Sequence, residues 1–149
     1  MPRILVVRLD DLRLGLPLCN VERVMRCAWA ERLPAAPAAV VGVVDIGGRI
    51  LPVVDVRHCF ARASRFFEPS DCFVLAHTAR RGVVLHLDAV EGVAEYDADA
   101  LVEGHSIVPG LTHVAGVVEL PDGLVLIQDL DQLLSLEDER LLENAIDAR

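Results

Sequence analysis

The strongest constraint on this fold is that the chain reads almost the same way twice. Ile4–Leu18, ILVVRLDDLRLGLPL, aligns without a gap on Phe73–Leu87, FVLAHTARRGVVLHL, at an offset of 69 residues. The match runs on, so that Val21, Glu22 and Val24 fall on Val90, Glu91 and Val93. After five extra residues in the second copy it resumes at an offset of 74. There Gly42–Val56, GVVDIGGRILPVVDV, lies on Gly116–Leu130, GVVELPDGLVLIQDL. A chain built from two copies of one supersecondary unit has few architectures open to it. The units span about residues 1–60 and 72–134, with 61–71 as linker, inside one domain of 149 residues.

Each unit reads as strand, turn, strand, helical turn, strand, loop, hairpin and short helix. The first hairpin pairs Leu5–Leu9 with Leu12–Leu16 through Asp10-Asp11, and its counterpart turns at Ala79–Gly82. The second turns at Gly47-Gly48, where glycine supplies the positive φ of a two-residue hairpin loop. Its counterpart turns at Pro121–Gly123. Val21 and Val24 lie three residues apart, which predicts one face of a helical turn capped by Asn20. Asp88 and Glu91 have capping-box spacing in the second copy. Short strands with frequent turns predict a mainly β fold of two small antiparallel barrels with short helices. Valine-rich second hairpins predict burial on both faces. Asp97–Leu111 is a longer, partly irregular excursion. Ser135 with Asp138 opens a C-terminal helix over about 136–147, whose apolar stripe is Leu141, Leu142, Ala145 and Ile146.

Composition excludes several function classes. The apolar fraction, 53%, is too high for a disordered chain. The longest apolar stretch, Leu33 to Ile46, is broken by Pro34, Pro37, Gly42 and Asp45, so no membrane span is expected. The start, MPRILVVRLDD, lacks signal-peptide anatomy, and a soluble cytoplasmic protein is the expectation. Cys19, Cys27, Cys59 and Cys72 form no CxxC pair and are expected as buried, reduced thiols. Charge is divided: residues 1–81 carry 12 arginines against 8 carboxylates, and residues 82–149 carry 2 against 15. That division suits two ends that meet differently charged partners. Few aromatics and a net charge of −9 argue against nucleic-acid binding.

No spacing points to catalysis. In the hairpin turning at Gly47-Gly48, Asp45 faces Ile50, and Asp55 lies five residues beyond. At ~3.4 Å per residue that separates the two aspartates by about 17 Å. A carboxylate pair for acid–base work wants about 5–9.5 Å. Asp55 and its counterpart Asp129 each end a strand before a short helix, a capping position. His58, His77, His86, His105 and His113 make no metal-ligand spacing, so neither a metal nor a cofactor is expected. Ser64, Ser70, Ser106 and Ser135 sit in linkers, loops and caps. One enzymatic alternative stays open, a site assembled in three dimensions around Cys72, His77 and His86. A dimer formed through the C-terminal helix is another.

Four segments together resemble the CheW-like adaptor domain of bacterial chemosensory signalling: LGLPLCNVERVM (Leu14–Met25), GVVDIGGRILPVVDVR (Gly42–Arg57), VVLHLDAVEGV (Val83–Val93) and AGVVELPDGLVLIQDLDQLL (Ala115–Leu134). The resemblance covers about residues 3–134. It implies two SH3-like five-stranded β-barrels, no catalytic activity and a chain that is monomeric or weakly self-associating. It further implies an adaptor that couples methyl-accepting chemotaxis receptors to the regulatory domain of the histidine kinase CheA. The receptor's cytoplasmic helical tip would lie in an apolar groove between the barrels, lined by Val21, Val24 and Met25 with repeat mates Val90 and Val93. At least one of those valine pairs is expected in the core instead. The turn of Asp45, Gly47, Gly48 and Arg49 would contact the kinase. Family members usually read Asn-Leu-Arg-Gly at that turn, whereas this chain reads Asp45-Ile46-Gly47-Gly48. The arginine tied to partner contact is absent at Gly47, which suits a divergent adaptor in another pathway, such as surface sensing.

Overall fold

Apolar residues on alternating and continuous runs form strands closed by tight turns. In the computed structural model, which describes residues 1–104 and 112–148, the first hairpin is β1 (Arg3–Leu9) with β2 (Leu12–Pro17). A 3-10 turn (Leu18–Asn20) leads to β3 (Val21–Arg26), and β4 (Val40–Ile46) with β5 (Arg49–Asp55) makes the second hairpin before α1 (Val56–Cys59). The second unit repeats this as β6 (Cys72–His77), β7 (Gly82–Leu87) and β8 (Ala89–Glu95). Then come β9 (Val102–Glu103), β10 (Val114–Leu120), β11 (Gly123–Gln128), a 3-10 turn (Leu130–Gln132) and α2 (Leu136–Asp147). The turn registers Leu9 opposite Leu12 and Ile46 opposite Arg49 are those expected, whereas Leu120 opposite Gly123 leaves a two-residue turn of Pro121-Asp122 with Gly123 already in the strand. His105 and Ser106 lie outside the described residues.

The strands form two sheets, and the units exchange strands between them. One sheet has the order β8-β1-β2-β11-β10-β9 and the other β3-β6-β7-β5-β4. Each takes its first hairpin from one unit and its second hairpin and third strand from the other. The exchange is pseudo-symmetric: β1 pairs β8 as β6 pairs β3, and β2 pairs β11 as β7 pairs β5. The last two joints are parallel, in otherwise antiparallel sheets.

Alternation along the hairpins fills three cores. Ile4 and Val6 pack with Val118, Val125 and Ile127 inside the first sheet. Phe73, Leu75 and Val84 pack with Val44, Leu51 and Val53 inside the second. The intervening residues, Leu5, Val7 and Leu9 with Val74, Ala76, Leu85 and Leu87, meet in the largest core, between the sheets. Burial on both faces, expected of the second hairpins, is therefore just as marked in the first. Removing such side chains from water at about 25 cal/mol per Å² makes the inter-sheet core the main tie between the two halves.

Helix α2 closes that core. Ser135 accepts from the Asp138 amide at 3.0 Å, and the Asp138 carboxylate accepts from the Ser135 amide at 3.4 Å, the expected reciprocal cap. Leu142 and Ala145 are buried in the inter-sheet core, whereas Leu141 is exposed, so the apolar stripe is narrower than its pattern. Arg81, in the β6–β7 turn, holds Glu139 at 2.7 Å. The cysteines depart from expectation: Cys19 is exposed, and Cys27, Cys59 and Cys72 are only partly buried.

Candidate functional site

Val21 and Val24 sit on a strand and not on the expected helical turn. The physical reason is a bulge. In β3 the register against β6 slips between Val21 and Arg23, so Val21 faces Ala76 and Val24 faces Val74. An extra residue reverses the alternation, and residues three apart share a face as they would on a helix. In β8 the same slip places Val90 opposite Val7 and Val93 opposite Leu5. Asp88 and Glu91 accordingly form no capping box. The Asn20 side chain donates to the His77 carbonyl at 3.0 Å instead of capping a helix.

The four valines lie on the inter-sheet side of their strands, since their partners Val74, Ala76, Leu5 and Val7 belong to that core. Val21 and Val90 pack half-buried against it, while Val24 and Val93 remain 41% and 51% exposed. The repeat thus gives each sheet one packed and one open valine at the margin of the shared core. Met25 is not brought to this face. It lies opposite Phe73 and packs against the second sheet's own core.

The Gly47-Gly48 turn is exposed and tightly built. Both glycines have positive φ, 61° and 88°, and Asp45 accepts from the Gly48 amide at 2.8 Å. Arg49 turns away from the tip. Its guanidinium lies 3.2 Å from Glu22 of β3, and a Cβ added at Gly82 would come within 2.8 Å of it. Arg49 therefore reaches across the sheet over a glycine and does not supply a charge at position 47. A hollow of about 320 Å³ lined by Arg23, Met25, Trp29, Asp45 and Gly47 opens beside the turn.

The most heavily bonded polar cluster was not singled out by sequence reasoning. It gathers on the linker and the strand ends. Arg65 grips Asp71 with two 2.8 Å bonds and reaches Asp88 at 2.5 Å. His86 and Asp71, both almost fully buried, meet at 2.6 Å. Asp88 also pairs with the buried Arg57 and accepts from the Asp10 amide at 2.7 Å. Burial opposes ionisation of Asp71, but hydrogen bonds from Arg65, the Glu68 amide and His86 outweigh it and hold the carboxyl well below the usual range. Asp88 is lowered in the same way, burial being outweighed by the Asp10 amide, Arg57 and Arg65. Asp55 caps α1 by accepting from the Arg57 amide at 3.1 Å and also accepts from Ser64 at 2.6 Å. Asp129 likewise caps its 3-10 turn.

This arrangement serves as a strut. His86 with Asp71 has the form of a base with its orienting carboxylate, yet His86 stacks under Phe67 and the pair is closed to solvent. His77, the other histidine of the enzymatic alternative, lies at the opposite end of the β6–β7 hairpin, near Glu22. Cys72 lies opposite Leu87, and among the described residues no group of three potential ligands is placed to hold a metal. The Cys59 thiol is pushed up to about 11 by burial and by the charges of Asp55 and Asp138, which leaves it unreactive. Among the described residues no helix is long and apolar enough to cross a membrane.

Comparison with known proteins agrees with this geometry. The sequence profile of the CheW-like domain matches residues 3–138. The chain is 21% identical over 142 residues to the chemotaxis protein CheW of Klebsiella aerogenes, covering 94% of this chain and 86% of that protein. It is 29% identical over 113 residues to protein FrzA of Myxococcus xanthus, covering 75% and 71%. The crystal structure of the scaffolding protein TtCheW from Thermoanaerobacter tengcongensis superposes with a TM-score of 0.82 at 22% identity, over 93% of this chain and 91% of that one.

Proposed function

The chain belongs to the CheW-like domain family, a family of non-catalytic adaptors of chemotaxis signalling, and we propose that it couples methyl-accepting receptors to the histidine kinase CheA. The observation that carries this reading is the pair of open valines, Val24 and Val93, set by matching bulges at the margin of the inter-sheet core. Open apolar side chains held on paired strands at the margin of each sheet suit the side of a receptor's cytoplasmic helical tip. Val21 and Val90 form the packed floor, and Met25 stands apart on the other face. The exposed turn of Asp45, Gly47, Gly48 and Arg49 is the proposed contact for the kinase regulatory domain. The domain acts in the cytoplasm as a single unit over residues 1–149, without a cofactor.

The test is co-purification with a receptor tip fragment and with the kinase regulatory domain. Binding to both is expected, and binding to neither at low and moderate salt refutes the coupling role. Val24→Asp and Val93→Asp are each expected to weaken receptor binding by about tenfold or more, since a charge must then be desolvated in the groove. Circular dichroism should be unchanged, because both side chains are already open. A second reading, a divergent adaptor in another pathway such as surface sensing, is favoured by Gly47 and by the engagement of Arg49 with Glu22. Gly47→Arg separates the two. Tighter kinase binding supports a conventional contact with a weakened turn, and unchanged binding supports a different partner.

A further inference from the structure

The proposed coupling role uses the open valines and the Gly47 turn, but neither accounts for a wide apolar opening elsewhere in the surface. A cleft of about 630 Å³ lies between residues 27–32, which follow β3, and residues 65–69 of the linker. Trp29, 89% exposed, stands on one wall, and Phe66, 95% exposed, on the other. Val41 and Phe67 also line it. The chain has six Phe, Tyr and Trp residues in all, so two of the six stand open at one cleft. Aromatic surface left in water at one place marks a contact site.

The walls are fixed. The Arg65–Asp71 clamp spans the linker loop, Asp71 accepts from the Glu68 amide at 2.8 Å, and Arg65 donates to the Phe66 carbonyl at 2.9 Å. The Cys27 amide donates to the Asp71 carbonyl at 3.2 Å and its thiol to the Glu68 carbonyl at 3.1 Å, which ties one wall to the other. Phe67 packs edge-on against Phe73 and leans on His86. Phe66 is therefore held out on an ordered loop, and little conformational freedom remains to be lost when it is covered.

The occupant's form follows from what the cleft lacks. Strand addition at the neighbouring edge is blocked, because Glu31 already exchanges both backbone bonds with Val43, at 2.9 and 2.8 Å. Gly42 marks how closely that segment lies: a Cβ there would stand 2.4 Å from the Glu31 carbonyl oxygen. Recognition must then run through side chains, as it does when an amphipathic helix enters a groove. Charge sets the sign. Arg32 lines the cleft, and Arg23 lines the hollow on the other side of Trp29; among the described residues neither has an ion-pair partner. The Arg65 charge is already met by Asp71 and Asp88, while Glu68 is the one carboxylate in the lining. Two unpartnered guanidinium groups beside an apolar floor match carboxylates flanking an apolar stripe.

We propose that the Trp29–Phe66 cleft docks an amphipathic helix of another protein whose apolar face is edged with carboxylates. The chain's single tryptophan stands between this cleft and the hollow beside Gly47, so its emission reports on both, and Phe66→Ser assigns a shift to the cleft. The probe is a synthetic helical peptide with a leucine stripe flanked by glutamates, titrated into the full chain. Its twins carry lysines in place of the glutamates, or a central proline that breaks the helix. A saturable blue shift is expected with the glutamate peptide, weaker by about tenfold or more with either twin. Phe66→Ser is expected to lose at least about tenfold in affinity with its unfolding midpoint unchanged, because the side chain is already in water. Equal binding of the lysine twin, no shift at millimolar peptide, or an unaffected Phe66→Ser overturns the proposal. A blue shift that grows with protein concentration alone also overturns it and assigns the cleft to a second copy. The probe contains neither receptor nor kinase, so its failure leaves the coupling role untouched.

Discussion

Asp71 and Asp45 are both aspartates with an arginine a few residues away along the chain, one in the linker and the other at a hairpin turn. Asp71 is almost fully buried and takes bonds from Arg65, His86 and the Glu68 amide. Asp45 is exposed and accepts from the Gly48 amide. Water screens charges at the hairpin, and their loss is cheaply compensated by hydration. In the linker cluster Asp71 and His86 are closed to solvent, so the Asp71 charge depends on its partners. The difference teaches that a run of carboxylates and arginines carries little meaning until burial is known. Asp45 stands in a turn that the sequence marks clearly, yet the buried charge pairs are made at the linker.

Substitutions at the two places should differ sharply in effect. Asp71→Ala leaves His86 buried without its carboxylate and Arg65 without its clamp. A loss of about 3 kcal/mol is expected in urea unfolding, and a loss below about 1 kcal/mol would break the contrast. The same carboxyl gives the contrast a pH signature. Its folded value is depressed, so the stability it contributes is fully present above the ordinary carboxylate range, near pH 4. That stability drains away as pH falls through and below that range. The unfolding free energy of Asp71→Asn should therefore depend less on pH there than that of the unsubstituted chain.

Smaller effects follow at the cap and the turn. Asp55→Ala removes the α1 cap and the Ser64 bond, with an expected loss of about 1–2 kcal/mol in the same measurement. Gly47→Ala is expected to cost about 1 kcal/mol although nothing lies within 4 Å of the new Cβ, because φ is +61°. No loss there would mean that the turn relaxes to another form. Arg49→Ala, which breaks an exposed pair with Glu22, should cost less than about 1 kcal/mol. A larger loss would place the hairpin closer to the linker than its exposure suggests.

Legibility followed sequence distance. The hairpins, the two-residue turns at Asp10-Asp11 and Gly47-Gly48, the caps at Asp55 and Asp129 and the presence of a C-terminal helix are readable, because each is settled within a few residues by turn chemistry and alternation. The spacing of Val21 with Val24 and of Asp88 with Glu91 reads as a helical turn, because a bulge gives a strand the three-residue spacing of a helix. Nothing in Val21–Val24 or Val90–Val93 separates the two readings until a pairing strand is present. The linker cluster joins residues as far apart as Asp10 and Asp88, and no local pattern links them. Trp29 and Phe66 share no local pattern for the same reason, since their walls are tied across the fold by Cys27.

By itself the sequence determined that two like units exist, which residues alternate in each, where each hairpin turns, and which adaptor family the chain resembles. Those properties are local or are matters of comparison. Only the tertiary structure decided that the units trade hairpins, so that β2 lies beside β11 and β7 beside β5. A repeat states which strands are alike but not which sheet each joins. That choice depends on burying Leu5, Val7 and Leu9 against Val74, Ala76, Leu85 and Leu87 in one core, a contact between residues far apart along the chain. The same closure leaves Val24 and Val93 at its margin.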